Sequence, residues 1–109
     1  MTDLDYLNHA EQALSAIELA CDRLCDSGDV DIDTQRTGSL ITLTFANRSQ
    51  IIINLQKPLQ EIWMAAKAGG FHYKLNSNQW RNTKDGSEFF EALNRYASEQ
   101  SGQRVIFNP

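Results

Sequence analysis

Three aspartates alternate with two β-branched apolar residues over Asp29-Val30-Asp31-Ile32-Asp33. Aspartate is depleted from strands, and successive strand side chains face opposite ways. Such a segment sends Val30 and Ile32 to a core and lines the three carboxylates along the outside. Upstream, Glu11, Glu18, Asp22 and Asp26 recur at intervals of seven, four and four, which a helix gathers into one stripe. Helix and strand would then join in one continuous acidic ridge. Two readings stay open on these residues alone. One is a solvated surface whose charged edge strand resists sheet-to-sheet aggregation. The other is a ridge that binds cations or a basic protein surface.

Carboxylate oxygens suit hard cations, ferric iron and, less selectively, ferrous iron among them. Unit charges at 4 Å in water gain about 1 kcal/mol. A divalent ion facing three exposed carboxylates gains roughly 6 kcal/mol before repulsion and side-chain ordering subtract, whereas micromolar affinity needs about 8 kcal/mol. The ridge is therefore expected to hold metal weakly and reversibly, at several sites. A dedicated calcium loop is rejected: Thr34 stands where an EF-hand has its glycine and Leu40 where it has its closing glutamate.

Other chemistry finds no support. There is no phosphate-binding glycine loop, nucleophile elbow or metalloprotease helix, and His9 and His72 read as separate surface histidines. No catalytic residue is expected. Cys21 and Cys25 read as small buried hydrophobes in a reducing compartment. A net charge of −4 and a pI near 5.0 argue against nucleic acid as a partner. Between Asp22 and Asp33 the only counter-charge is Arg23. No apolar run reaches the 18 or so residues of a membrane span, and the acidic N-terminus lacks the basic region of a secretory signal. A cytoplasmic protein with no membrane association is expected.

The elements that must position the acids follow from periodicity. Tyr6, Ala10, Leu14, Ile17, Cys21 and Leu24 mark the buried face of an amphipathic helix, capped at Thr2 or Asp3 and stopped at Ser27-Gly28. Its acidic stripe lies roughly 100° around from the apolar one. The period then becomes two. Ile41, Leu43 and Phe45 form one strand, and Ala46-Asn47-Arg48-Ser49 a hairpin turn. Gln50 to Gln56 form a second strand, broken by Lys57-Pro58, and Gln60 to Lys67 another. Phe71–Leu75 and Gln79–Thr83 pair across Asn76-Ser77-Asn78. Ser87 is the expected N-cap of a closing helix that buries Phe89, Leu93, Tyr96 and Ala97 beside Phe90 and ends at Gly102. Val105-Ile106-Phe107 should pack back on the helices. The fold class is α+β: one domain over 1–109, a two-layer sandwich with N- and C-terminal helices on one face of a five- to six-stranded antiparallel sheet.

A sheet covered on one side exposes its other side. Asn54, Gln56 and Trp63 fall at positions that can lie away from the helices, and an exposed Trp beside amides resembles an interface hot spot. Whether Trp63 is open or half-covered by long neighbours is left even, and Trp80 reads as structural.

The runs Leu40-Ile41-Thr42-Leu43-Thr44-Phe45, Ile51-Ile52-Ile53-Asn54-Leu55-Gln56-Lys57-Pro58-Leu59-Gln60-Glu61-Ile62-Trp63-Met64-Ala65 and Gly69-Gly70-Phe71-His72-Tyr73 resemble the frataxin family, most closely its bacterial branch. The likeness extends to Trp80, Asp85-Gly86 and the closing helix. It implies the same helix–sheet–helix sandwich and weak, reversible binding of ferrous or ferric iron by an acidic ridge. That ridge would comprise Glu11, Glu18, Asp22, Asp26, Asp29, Asp31 and Asp33. The resemblance further implies regulation of iron–sulfur cluster assembly by contact with the cysteine desulfurase and scaffold machinery. Asn54, Gln56 and Trp63 would face a partner. A monomeric regulatory adaptor is favoured. The alternative is an iron donor or store that oligomerises with iron and has ferroxidase activity. Two departures matter. Leu19, Ala20 and Arg23 stand where relatives often carry paired acids late in the first helix, and Glu61 replaces a glutamine found in some. Cation binding is therefore expected to shift toward Asp29, Asp31 and Asp33 and away from Glu11 and Glu18.

Overall fold

In the computed structural model, which describes residues 2–28 and 30–107, the chain opens with helix α1, Asp3–Asp26. Thr2 and Asp5 start it with a reciprocal capping box: Thr2 Oγ1 accepts from the Asp5 amide at 3.1 Å, and the Thr2 amide donates back to the Asp5 carboxylate. Tyr6, Ala10, Leu14, Ile17 and Cys21 are buried as their spacing predicts, joined by Ala13 and Ala20. Ser27 is the C-cap, and Gly28 turns the chain out at φ +76°, a conformation that costs little only for glycine.

Six strands follow: β1 Ile32–Thr37, β2 Leu40–Phe45, β3 Gln50–Gln56, β4 Glu61–Ala66, β5 Gly69–Asn76 and β6 Gln79–Asn82. They form one antiparallel meander in chain order. Helix α2, Phe89–Ser101, closes the core. Ile41 faces Ile53 and Leu43 faces Ile51 across β2 and β3, while Ile53 faces Met64 and Leu55 faces Ile62 across β3 and β4. All of these side chains are buried against the helices. Tyr6 meets Trp80 edge-on at 6.0 Å, which confirms Trp80 as a core residue at 5% exposure.

The tail packs back through two of its three apolar residues, Ile106 between them being exposed. Val105 and Phe107 are buried, and their amides donate to Ser98 Oγ and Asn94 Oδ1 at 2.9 and 2.6 Å.

Several local expectations need correction. The N-cap of α2 is Glu88, whose carboxylate accepts from the Phe90 and Glu91 amides at 2.9 and 3.1 Å. Ser87 is already committed, its amide and hydroxyl both donating to Asp85 Oδ1. The last hairpin turns on Ser77-Asn78 alone, both at positive φ, because Asn76 pairs with Gln79. Tyr96 is only partly buried, stacked on Phe71 at 5.0 Å. Cys21 is buried but Cys25 is exposed, with its thiol donating to the Ile32 carbonyl at 3.2 Å.

Candidate metal and partner surfaces

The alternation read at the start of β1 holds: Val30 and Ile32 are 5% and 4% exposed, and Asp31 and Asp33 are exposed. Asp29 lies outside the described residues. Regular pairing begins only at Ile32, opposite Phe45, so Asp31 precedes the strand where the neighbouring strand has ended. The same alternation sends Thr34 and Arg36 toward the helix layer while Asp33 points to the far side of the sheet.

That parity divides the acids. Arg36 reaches α1 and bridges two of them: its Nη1 donates to Glu18 at 2.9 Å and its Nη2 to Glu11. The Arg36 side chain is three-quarters buried, whereas those of the two glutamates are nearly half exposed. Donation to Glu11, and next to Glu18, raises the Arg36 pKa above its ordinary range. Two of the seven proposed ridge acids are thus already paired with a cation. Asp22 and Asp26, one turn apart at the end of α1, are exposed, as are Asp31 and Asp33. Cys25 stands exposed among these groups, so a thiol does border the acidic surface.

Among the described residues, no three carboxylate, imidazole or thiol side chains converge to hold a metal ion. The donors present are hard oxygens spread over a helix end and a strand start. Side chains at i and i+2 of a strand are about 6.6 Å apart. Such a set suits a hydrated cation shared between carboxylates more than a closed coordination shell.

The outer face of the sheet carries the second set. Asn54 pairs with Trp63 and Trp63 with His72 in adjacent strands, so the three side chains form one row facing away from the helices. Gln56 follows on the same side of β3, opposite Glu61. Trp63 is half-buried, stacked on His72 with ring centroids 4.2 Å apart and planes 5° from parallel. With Leu40, Ile52 and Asn54 it lines an open cleft of about 260 Å³. His9 lies instead on α1, beside Trp80 and Phe90, remote from this row.

The structure therefore unites Asn54 with Trp63 and places Asp33 on their side of the sheet, at the β1 edge. It leaves Glu11 and Glu18 on the helix side.

A family model of the frataxin-like domain matches residues 1–103. The chain belongs to the frataxin-like family. A Polaromonas sp. protein named "iron-sulfur cluster assembly protein CyaY" is 73% identical over 108 residues, covering 99% of this chain and 93% of its own length. The Paracidovorax citrulli protein of that name is 56% identical, with 99% and 98% covered. Frataxin from Psychromonas ingrahamii superposes over the full length of both chains with a TM-score of 0.86 at 35% identity. The α+β sandwich is the frataxin fold. No helix among the described residues is long and apolar enough to cross a membrane.

The sequence reading missed two site features. Nothing in the sequence links Arg36 to Glu11 and Glu18, which lie 25 and 18 residues away. The second is the contact of Glu61 with Trp63. The placement of Glu61 two residues from Trp63 on one strand face was the available signal, since i and i+2 side chains are neighbours there.

Proposed function

We propose that this protein is an iron-binding regulator of iron–sulfur cluster assembly that docks on the cysteine desulfurase and its scaffold. The family and the names of its bacterial relatives support the pathway. The observation that carries the cation reading is the group Asp22, Asp26, Asp31 and Asp33, exposed around the α1–β1 junction with Asp29 between them in the chain. Iron is cargo here, held by exchangeable carboxylate contacts. The open donor set favours transient binding over storage or oxidation, both of which profit from a closed multi-ligand centre.

Docking uses the same charges. Carboxylates around the β1 edge attract a basic surface of the desulfurase and speed encounter, while the Asn54–Gln56–Trp63 face supplies apolar and amide contacts to the assembly machinery. Three strand spacings, about 14 Å, separate β1 from β4, so one partner assembly can wrap the edge and reach both. Iron bound at the edge screens the charges that attract the partner and thereby tunes docking.

The test is binding to the desulfurase by calorimetry without iron, together with its sulfur-transfer rate. Iron-independent binding and an altered rate are expected. Iron-driven oligomers or oxidation of ferrous iron without any effect on the desulfurase would favour a donor or store instead.

A further inference from the structure

Glu61 projects from the outer face of the sheet, yet it is only 7% exposed. Its Oε1 accepts from Trp63 Nε1–H at 2.7 Å and lies 3.6 Å from His72 Nδ1, and its Oε2 is 3.9 Å from Lys74 Nζ. The residue's backbone is held from the other side, where its carbonyl accepts from the Tyr6 hydroxyl at 2.7 Å. The carboxylate is thus fixed at both ends, on a core-anchored main chain and in a shell of donors. Trp63 in turn has two constraints: its N–H is held by Glu61, and its ring lies flat on His72. Together they define both torsions of the indole.

Trp is the residue most typical of interface hot spots, and an anchor already held in one rotamer loses less entropy on binding. We propose that Glu61 is the positioning residue of this surface, holding Trp63 against His72 so that the indole is preorganised as the anchor for a protein partner. The proposal rests on reading the Asn54–Gln56–Trp63 face as the docking surface. Glutamate and glutamine both offer an acceptor oxygen to the indole, and alanine does not.

The Trp63 Nε1–H resonance reads the ring directly, with Trp63→Phe assigning it and the buried Trp80 resonance reporting an intact fold. Glu61→Ala is expected to shift the Trp63 signal and hasten its hydrogen exchange while leaving Trp80 in place. Glu61→Gln should retain the native position. Affinity for the desulfurase–scaffold pair should fall about tenfold in Glu61→Ala, recover in Glu61→Gln, and fall little further when Glu61→Ala is added to Trp63→Ala. An unmoved Trp63 signal in Glu61→Ala overturns the proposal. Equal losses in the alanine and glutamine variants overturn it too, since charge and not the indole hydrogen bond would then be at work. Should Trp63→Ala bind as tightly as the native protein, the docking reading itself fails, and the indole signal still decides whether Glu61 orients the ring.

Discussion

Arg36 sets the character of the acidic surface, because one guanidinium engages both Glu11 and Glu18. Ion pairs whose carboxylates remain this open to solvent contribute little stability, and Arg36→Ala should cost only about 0.5–1 kcal/mol in urea unfolding. Its larger effect should be on cations: freeing two carboxylates on α1 should create a metal response at Glu11 and Glu18 that the native protein lacks. Burial, the main cause, pushes the hydroxyls of Tyr6 and Tyr73 up to about 12 from an ordinary 10.0. A raised folded-state pKa means stability fully present below pH 10 and lost as pH rises toward 12. Burial likewise pushes the Cys21 thiol up to about 11 from 9.0, so thermal melts should be flat up to about pH 8.5, begin to fall above pH 9 and fall steeply above pH 10, with tyrosinate absorbance from Tyr6 and Tyr73 appearing together with unfolding. Residue types announced the acids and their alternation. They could not announce the Arg36 bridge, which depends on strand register against a helix, or the exposure of Cys25, which sits at the edge of the apolar stripe of α1.

The layers themselves were legible because the periods change cleanly, from the helical spacing of Tyr6 through Cys21 to the alternation of Ile41, Leu43 and Phe45. Boundaries were less so. Ser87 looked like an N-cap by residue type, but Asp85 claims its hydroxyl and Glu88 takes the role. What joins the elements was also hidden, and Gln100 is the clearest case. This buried amide donates to the Gln50 carbonyl at 3.1 Å and accepts from the Lys67 amide at 2.8 Å, tying α2 to the start of β3 and to the β4–β5 turn. Gln100→Ala leaves both backbone groups without that partner, so a loss of about 1–3 kcal/mol is expected. Urea denaturation should show the lower midpoint with an unchanged slope.

Across the whole molecule, exposed acids flank the α1–β1 junction, Asp22 and Asp26 on α1 and Asp31 and Asp33 around the start of β1, with the Asn54–Trp63–His72 row on the same side of the sheet as Asp33. Clustered like charges repel in the folded state, so moderate salt or a bound cation should stabilise it. A rise in melting temperature with added divalent ions, beyond that from salt at equal ionic strength, would show specific binding. The central claim is that cations bind at the α1–β1 junction and not along the paired acids of mid-α1. It is tested most directly by a two-dimensional NMR titration of labelled protein with a diamagnetic trivalent lanthanide, repeated on a variant with Asp29, Asp31 and Asp33 changed to Asn and on one with Glu11 and Glu18 changed to Gln. The account predicts shifts confined to the segment from Asp22 to Asp33, abolished in the first variant and nearly unchanged in the second. Shifts centred on Glu11 and Glu18, or equal losses in the two variants, would contradict it.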